Sequence, residues 1–587
     1  VNPGDALLHS VVRGARCASP HVVLPLCSRP VVAKTRSAEA PQLRQLDLKQ
    51  GNARMDRSTE LYLREDVYFE PLFNHWFAWP YLIPPVTAAR HMVNTHRRIM
   101  TSFVNNYQLH IMAVNEPGMA GAEFLNCTQE QVADIRRLID EIDSHHADMV
   151  ELSNAVKELD DILRAHSSGE TIEKLYEKVP SPLKGYVEIF MDMYHNASYR
   201  LLEGLLYRSK FYKPSLQSVS FGMLSKVKER PFALSTPRLP DENHLQFDAH
   251  YNAPELDELF KLRDRPADAA TIERLFKPYA LRGGLDYQDM FTADAPRKRH
   301  QPVATGVRVQ YIGHAGFMVE TNEVTLLVDP VIASRGSDNF DDVLSFSELP
   351  PKIDFICLTH NHQDHVSFET LLQLRYKTDT IVVPKNNGGS LSDPSLRMML
   401  RQFNFHVVEV DDMDEVHIAG GRIVSLPFLG EHGDLNVRSK TAWLVELHGK
   451  KIFFGADSSN LDPHMYRHIH AISGDIDLLA IGMECVGAPY TWLYGALTTK
   501  LVTKKIKDSR RLNGADFEQA AHMVETFRPK QVCIYALGME PWYNYFMGIE
   551  YSDDSKQITE SKKLLDLCLE RGIPAERMYA YRRFELV

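Results

Sequence analysis

Four candidate metal ligands fall within one hexapeptide, His360-Asn361-His362-Gln363-Asp364-His365. It follows the apolar run Ile353-Asp354-Phe355-Ile356-Cys357-Leu358-Thr359, which reads as a buried strand. A strand end entering a tight loop projects His360 and His362 towards one position and Asp364 and His365 towards a neighbouring one. Imidazoles and carboxylates together suit zinc, iron or manganese, and two such ions about 3.5–4 Å apart can share a bridging oxygen. The chemistry implied is metal chemistry on water or on dioxygen. The chain carries 25 histidines, so a chance cluster on a surface loop is the plain alternative; the strand ahead of the motif argues against it.

The strand-like runs that must position this motif begin after Pro302. They are 307–311, 316–320, 324–328, 353–358, 380–383, 406–410, 422–426, 442–447, 451–455, 477–481 and 531–535, with helical stretches at 368–374 and 517–527. Many short strands with helices between them predict a sheet-on-sheet core covered by helices. Residues 55–294 read as mostly helical with strand-like patches. Thr128 and Gln131 form a capping box, and a long amphipathic stretch follows, striped by Val132, Ile135, Ile139, Ile142, Met149, Leu152, Val156 and Leu159. The aromatic run from Tyr68 to Tyr81 is read as packing within or between subunits, with a substrate groove as the lesser reading. Residues 295–306 contain the Pro-bounded basic stretch Pro296–Pro302 and read as a linker. Residues 1–54 hold eight Lys/Arg against three Asp/Glu with no periodicity. They are expected to be a disordered extension foreign to the rest, with Met55 as a natural start.

Composition narrows the partners. A chain of 587 residues is expected to hold two to four domains. Its formal net charge of -11 argues against nucleic acid or an anionic membrane as partner. No apolar window approaches the length of a membrane span. Seven scattered cysteines without a CxxC pair point to a reducing cytoplasm rather than a disulfide framework.

The HxHxDH motif resembles the signature of the metallo-β-lactamase superfamily, and other segments match too. Val309–Phe317 resembles that family's opening strand pair, and Leu327-Val328-Asp329-Pro330 its next strand and Asp-Pro turn. Phe453-Phe454-Gly455-Ala456-Asp457 resembles the strand carrying a bridging aspartate. The resemblance spans residues 307–587 and implies an αββα sandwich with metals at one edge. His314 and Asp329 would then orient ligands from behind. Two departures stand out. Where hydrolytic members carry a third histidine, this chain reads Gly430-Glu431-His432-Gly433, so the ligand falls on Glu431 or His432 depending on a one-residue shift. Where the last histidine is expected, the residue is Tyr535.

The set so implied is His360, His362 and Glu431 on one metal, Asp364 and His365 on the other, and Asp457 between. Three carboxylates favour a harder ion than zinc, which has no redox chemistry. With the N-terminal region included, the chain resembles the dinuclear iron β-hydroxylases of nonribosomal peptide pathways, as in chloramphenicol biosynthesis. That resemblance implies a monooxygenase with two iron ions, dioxygen as co-substrate and an external two-electron donor. It implies β-hydroxylation of p-aminophenylalanine or a similar aryl amino acid, held as a thioester on a carrier domain of a peptide synthetase. Glu431 and Asp457 would take part in the chemistry. It also implies a homodimer built through residues 55–294, and a channel between the two halves. The expected rim is formed by residues 481–485, 490–494 and 539–545, with Glu484 placed to bind an aryl amine. The competing reading is a dinuclear zinc hydrolase of an ester, thioester or phosphodiester.

Overall fold

Two seven-stranded sheets face each other across the C-terminal half. In the computed structural model the first runs in the order Val407–Val410, Thr378–Pro384, Ile353–Cys357, Thr325–Val328, Gly316–Glu320, Val307–Gly313 and Arg582–Leu586. The second runs Glu415–Ile418, Gly421–Leu426, Ala442–Leu447, Lys450–Phe454, Leu478–Gly482, Gln531–Tyr535 and Ala575–Arg577. Each sheet joins an antiparallel half to a parallel half. Alternation fills the space between them. Val307, Val309 and Tyr311 meet Trp443, Val445, Ile452 and Phe454 on the facing sheet, all buried. The intervening residues point outward under helices. Phe453, Leu479, Val532 and Ile534 pack with residues of Pro463–Ser473, Phe517–Phe527 and Lys556–Glu570. Phe368–Leu374 and Leu396–Gln402 cover the other sheet. The αββα sandwich expected from the sequence is the fold found.

Three strands escaped the sequence reading: Glu415–Ile418, Ala575–Arg577 and Arg582–Leu586. All lie at sheet edges and none has a fully buried residue. Their apolar residues, Val416, Ile418, Phe584 and Leu586 among them, are only partly buried against the core, and each strand is too short for the alternation to stand out.

The structure describes residues 59–587 apart from 117, 118, 120, 228, 337–342, 549 and 587. The expectation for residues 1–54 lies outside the described residues. In the N-terminal half a four-stranded antiparallel sheet, Trp76–Phe77, Val67–Phe73, Gln217–Met223 and His244–Asp248, accompanies the helices. The aromatic run supplies its central strand, and all seven residues of Val67–Phe73 are buried. The Thr128–Gln131 capping box is present. The long amphipathic stretch is two helices, Val132–His145 and Ala147–Ala165, broken at His146. Seven residues, close to two turns, separate Ile142 from Met149, so the stripe continues across the break and conceals it. Residues 295–306 form no helix or strand. They are pinned by Arg299 to Glu348 at 3.0 Å and by His300 to Glu320 at 2.8 Å.

The two halves share one apolar cluster reaching from Leu61 and Phe103 to Leu371, Phe403 and Tyr494. A buried charge knot crosses the same boundary. Glu70 accepts hydrogen bonds from Arg230 at 2.8 Å and Arg238 at 2.7 Å. Arg230 reaches on to Glu369 of Phe368–Leu374 at 2.7 Å, and Tyr545 donates to the same carboxylate at 2.8 Å. The guanidinium of Arg230 lies 3.4 Å from the centre of the Tyr545 ring and 4.5 Å from that of Tyr68.

Candidate metal centre

The strand ends of both sheets deliver the candidate ligands to one edge. Ile353–Cys357 runs into Thr359 and then the hexapeptide. Gly421–Leu426 leads to Glu431, and Lys450–Phe454 leads to Asp457. Several of these ends turn through the left-handed region: φ is 45° at His314, 41° at Asp329, 69° at Glu431, 48° at Ala456 and 57° at Ala536. Each such turn carries strain that neighbouring packing must hold.

The side chains form a continuous row. His362 Nδ1 lies 2.7 Å from Glu431 Oε1, and His360 Nε2 lies 3.9 Å from Glu431 Oε2 and 3.8 Å from Asp457 Oδ2. His365 Nε2 follows at 3.1 Å from Asp457 Oδ2 and 3.8 Å from Asp364 Oδ2. His314 Nε2 closes the row at 3.2 Å from Asp364 Oδ2. Three overlapping groups could each hold an ion: His360, His362 and Glu431; His360, His365 and Asp457; and His314, Asp364 and His365. Within each, the ligand atoms lie within 4.8 Å of one another. His432 belongs to none of these groups; its ring lies 4.5 Å from that of His362, tilted by 34°.

Electrostatics follow from burial and from the neighbours. Burial, with the nearby His365, His362 and His432, holds His360 well below the ordinary imidazole range. Burial would also lower His365, but Asp457, Asp364 and Asp329 outweigh it and push it well above. Asp364 is held below the usual carboxylate range, against burial, by His365 and His314. Burial raises Glu431.

Behind the row, Asp329 accepts from the Thr359 backbone N–H at 2.7 Å and lies 2.7 Å from His365 Nδ1. Tyr535 does not reach the row. Its hydroxyl accepts from the Ala456 backbone N–H at 2.9 Å, so it props the turn that carries Asp457. Glu484 is half-buried, and no hydrogen bond or ion pair is made by its carboxylate among the described residues. Burial and the carboxylates of Asp457, Glu431 and Asp364 push it well above the usual range. Sequence reasoning missed Thr359, whose hydroxyl lies 2.9 Å from His360 Nδ1. Glu540, expected only as part of the rim 539–545, instead receives the His314 backbone N–H at 3.1 Å and the Tyr311 hydroxyl. Thr359 stands directly before the motif and was within reach of a reading that asked what orients each imidazole. Glu540 is distant in sequence and left no such signal.

Comparison with known proteins supplies the family. The chain is 35% identical over 537 residues to the 4-amino-L-phenylalanyl-(CmlP-peptidyl-carrier-protein) 3-hydroxylase of Streptomyces venezuelae, spanning 89% of this chain and 99% of that protein. This chain belongs to the diiron non-haem β-hydroxylases. A family model described as the diiron non-heme beta-hydroxylase N-terminal domain matches residues 62–295, and a beta-lactamase superfamily domain matches 325–533. The crystal structure of CmlA, a diiron β-hydroxylase from Streptomyces venezuelae, superposes with a TM-score of 0.82 at 34% identity, covering 90% of this chain and all of that one. A metal-dependent hydrolase of Lysinibacillus sphaericus is 35% identical over only 80 residues, 14% of this chain and 32% of that protein. The hydrolase reading therefore gives way to a β-hydroxylase with two iron ions and dioxygen. The donor set fits iron. His360 Nε2, Glu431 Oε2 and Asp457 Oδ1 are buried without any hydrogen-bond partner, a costly arrangement unless another group takes their lone pairs. Three imidazoles and three carboxylates match the mixed donors of dinuclear iron sites.

Proposed function

We propose that this β-hydroxylase inserts one oxygen atom at the β-carbon of an aryl amino acid, 4-aminophenylalanine or a near relative, held as a thioester on the carrier domain of a nonribosomal peptide synthetase. The product would serve a chloramphenicol-type antibiotic. The observation that carries this reading is the match across 99% of a relative whose own reaction is the 3-hydroxylation of carrier-bound 4-aminophenylalanine. His360, His362 and Glu431 hold one iron in this proposal. Asp364 and His365 hold the other, with Asp457 between them. Bound there and reduced, an iron pair would supply dioxygen activation, the overall change being one oxygen atom into the C–H bond and the other released as water, with two electrons from an external donor and two protons from solvent.

The protein's own groups do the rest. Asp329 accepts from His365 Nδ1 and leaves Nε2 free to face Asp457. Glu484 offers an unpaired carboxylate to an N–H of the substrate amine. A cleft of about 850 Å³ runs between the halves, lined by Tyr68, Phe232, Val331, Glu369, Trp542 and Tyr543 among others. Its inner wall is Tyr543, whose ring packs 5.0 Å from that of His314. We assign the pantetheine arm to this cleft, with the aromatic segment 541–546 excluding water behind it. Residues 55–294 serve substrate access and dimerisation, residues 295–306 are the linker, and 307–587 form the metal domain. The enzyme acts in the cytoplasm as a homodimer; among the described residues no helix is long and apolar enough to cross a membrane.

The test is incubation of the reduced, iron-loaded protein with oxygen and a carrier domain charged with 4-aminophenylalanine, followed by mass spectrometry. A gain of one oxygen on the carrier-bound amino acid is expected. An iron-replete protein that leaves the mass unchanged would refute the substrate reading. Light scattering of the full chain addresses the dimer, and a monomer at micromolar concentration would remove that part.

A further inference from the structure

His362 is held from both sides of its ring. Nδ1 faces Glu431 at 2.7 Å, and Nε2 meets the hydroxyl of Tyr494 at 2.8 Å. Both side chains are buried, so no water competes for that nitrogen. A tyrosine hydroxyl at that distance can accept the Nε2 proton, and Nδ1 would then be the nitrogen left to a metal between it, Glu431 and His360. The partner of an imidazole decides which nitrogen is available to a metal.

Tyr494 is in turn held by the other half of the molecule. It sits in the short helix Thr491–Tyr494, which continues into the turn Gly495–Leu497. Arg90 donates from Nε to the Ala496 carbonyl at 3.1 Å and from Nη2 to the Thr498 carbonyl at 2.8 Å. Its third nitrogen, Nη1, reaches the Ser153 carbonyl at 2.9 Å. Asn94 adds a second hydrogen bond to the Ala496 carbonyl at 3.0 Å. Asn94 lies in Met92–Arg97, a π-helical turn directly after the helix Pro85–His91 that carries Arg90. Such turns persist where a side chain must be re-aimed. From the same region Tyr81 packs edge-on against Tyr494, with ring centroids 5.6 Å apart and an interplanar angle of 90°. Its hydroxyl donates to the Ser392 carbonyl at 2.8 Å. Arg90 is buried and spends its hydrogen bonds on main-chain carbonyls, with a contact to the Ser153 hydroxyl at 3.4 Å. Burying a guanidinium in this way is costly, and what it secures here is the position of one loop.

We propose that Tyr494 is the positioning residue that orients His362 for metal binding, and that the N-terminal half holds Tyr494 in place through Arg90 and Asn94. The N-terminal half is then part of the metal site's support, as well as a surface for substrate or a second subunit. The inference rests on His362 being an iron ligand.

The test compares the iron-loaded full chain with Tyr494→Phe and Arg90→Met. Iron retained per chain is measured against increasing ferrozine, and the electron paramagnetic resonance of the half-reduced protein is recorded. Tyr494→Phe keeps the ring and removes only the hydroxyl. It is expected to release one of the two irons at about 10- to 100-fold lower chelator, with an altered resonance and a melting temperature of the metal-free chain lowered by only a few degrees, about what one lost buried hydrogen bond gives. Arg90→Met, which touches no candidate ligand, is expected to move iron release in the same direction. Retention and resonance identical to the parent in Tyr494→Phe would overturn the positioning role. A parent-like Arg90→Met would overturn the part assigned to the N-terminal half. His362→Ala separates this inference from the ligand assignment: if it keeps both irons, the assignment fails and the inference with it. Turnover on the loaded carrier domain enters none of these readouts.

Discussion

Replacing Arg230 with Met should cost this protein several kcal/mol, because it strands a carboxylate at the boundary between the halves. In the parent, Glu369 is buried and meets Arg230 at 2.7 Å and the Tyr545 hydroxyl at 2.8 Å. Arg230→Met leaves it only the tyrosine. Glu70 keeps Arg238 at 2.7 Å and is less affected. Removing one partner of a buried pair costs about 3–5 kcal/mol. Loss of the cation over Tyr545 and Tyr68 adds about 1 kcal/mol. At Glu369 burial outweighs Arg230 and lifts the carboxyl above its ordinary value, so the acid limb reports on Glu70, the other carboxylate of the knot. Burial alone would raise Glu70, but Arg238 and Arg230 hold it at about 2 against an ordinary 4.5. Its depressed value means that its contribution is complete above pH 4.5 and is lost as pH falls towards about 2. The gap corresponds to roughly 3 kcal/mol, the same order as the pair-breaking figure. Urea unfolding followed by tryptophan fluorescence at pH 7 measures the loss. The double variant Arg230→Met, Glu369→Gln should recover a substantial part of it, because the stranded charge is gone. A loss below about 1 kcal/mol for Arg230→Met, or a double variant as unstable as two independent changes, would refute the reasoning.

Three further outcomes follow from the site. Asp329→Asn leaves one oxygen to serve both the Thr359 N–H and His365 Nδ1, so one of the two meets an amide N–H instead of an acceptor and the ring loses its fixed seat; iron affinity by chelator competition should fall about 10- to 100-fold, and an unchanged affinity would show that another group orients the ring. Gly430→Ala puts a methyl 2.5 Å from Ser459 Oγ at a φ of 89°, so calorimetry should show a loss of about 1–3 kcal/mol together with weaker iron retention. Glu484→Gln should raise KM for a carrier-bound 4-aminophenylalanyl group roughly tenfold or more without changing iron content; equal KM values for the amino-substituted and unsubstituted phenylalanyl carriers in the parent would sink the amine contact.

Much of the sandwich was legible because its strands alternate. Val307, Val309 and Tyr311 declare an inner face by period two, as do Ile452 and Phe454. The edge strands were silent because they are short and only partly buried. At the site, the hexapeptide announced itself by ligand density, and Glu431 and Asp457 were read by analogy with a known strand order. That Glu431 joins a group with His360 and His362 while His432 packs tilted against His362 depends on left-handed turns at Gly430 and Glu431, and spacing alone cannot reveal these. Tyr494 and Arg90 were invisible as supports for His362, because each lies more than a hundred residues from it and belongs to an ordinary helical pattern. Long-range hydrogen bonds between side chain and main chain leave no periodic trace.

The left-handed turns at His314, Asp329, Glu431, Ala456 and Ala536 carry a consequence for how such a protein can be improved. Two of them are alanines, in a conformation that glycine holds with less strain. A search guided by thermal stability would be drawn to those positions and would relax the turns that aim Asp457 and seat the loop after Tyr535. The sequence that melts highest and the sequence that best gathers its ligands at one edge are then different sequences. Selection for heat resistance alone should drift away from metal retention, starting at these two alanines.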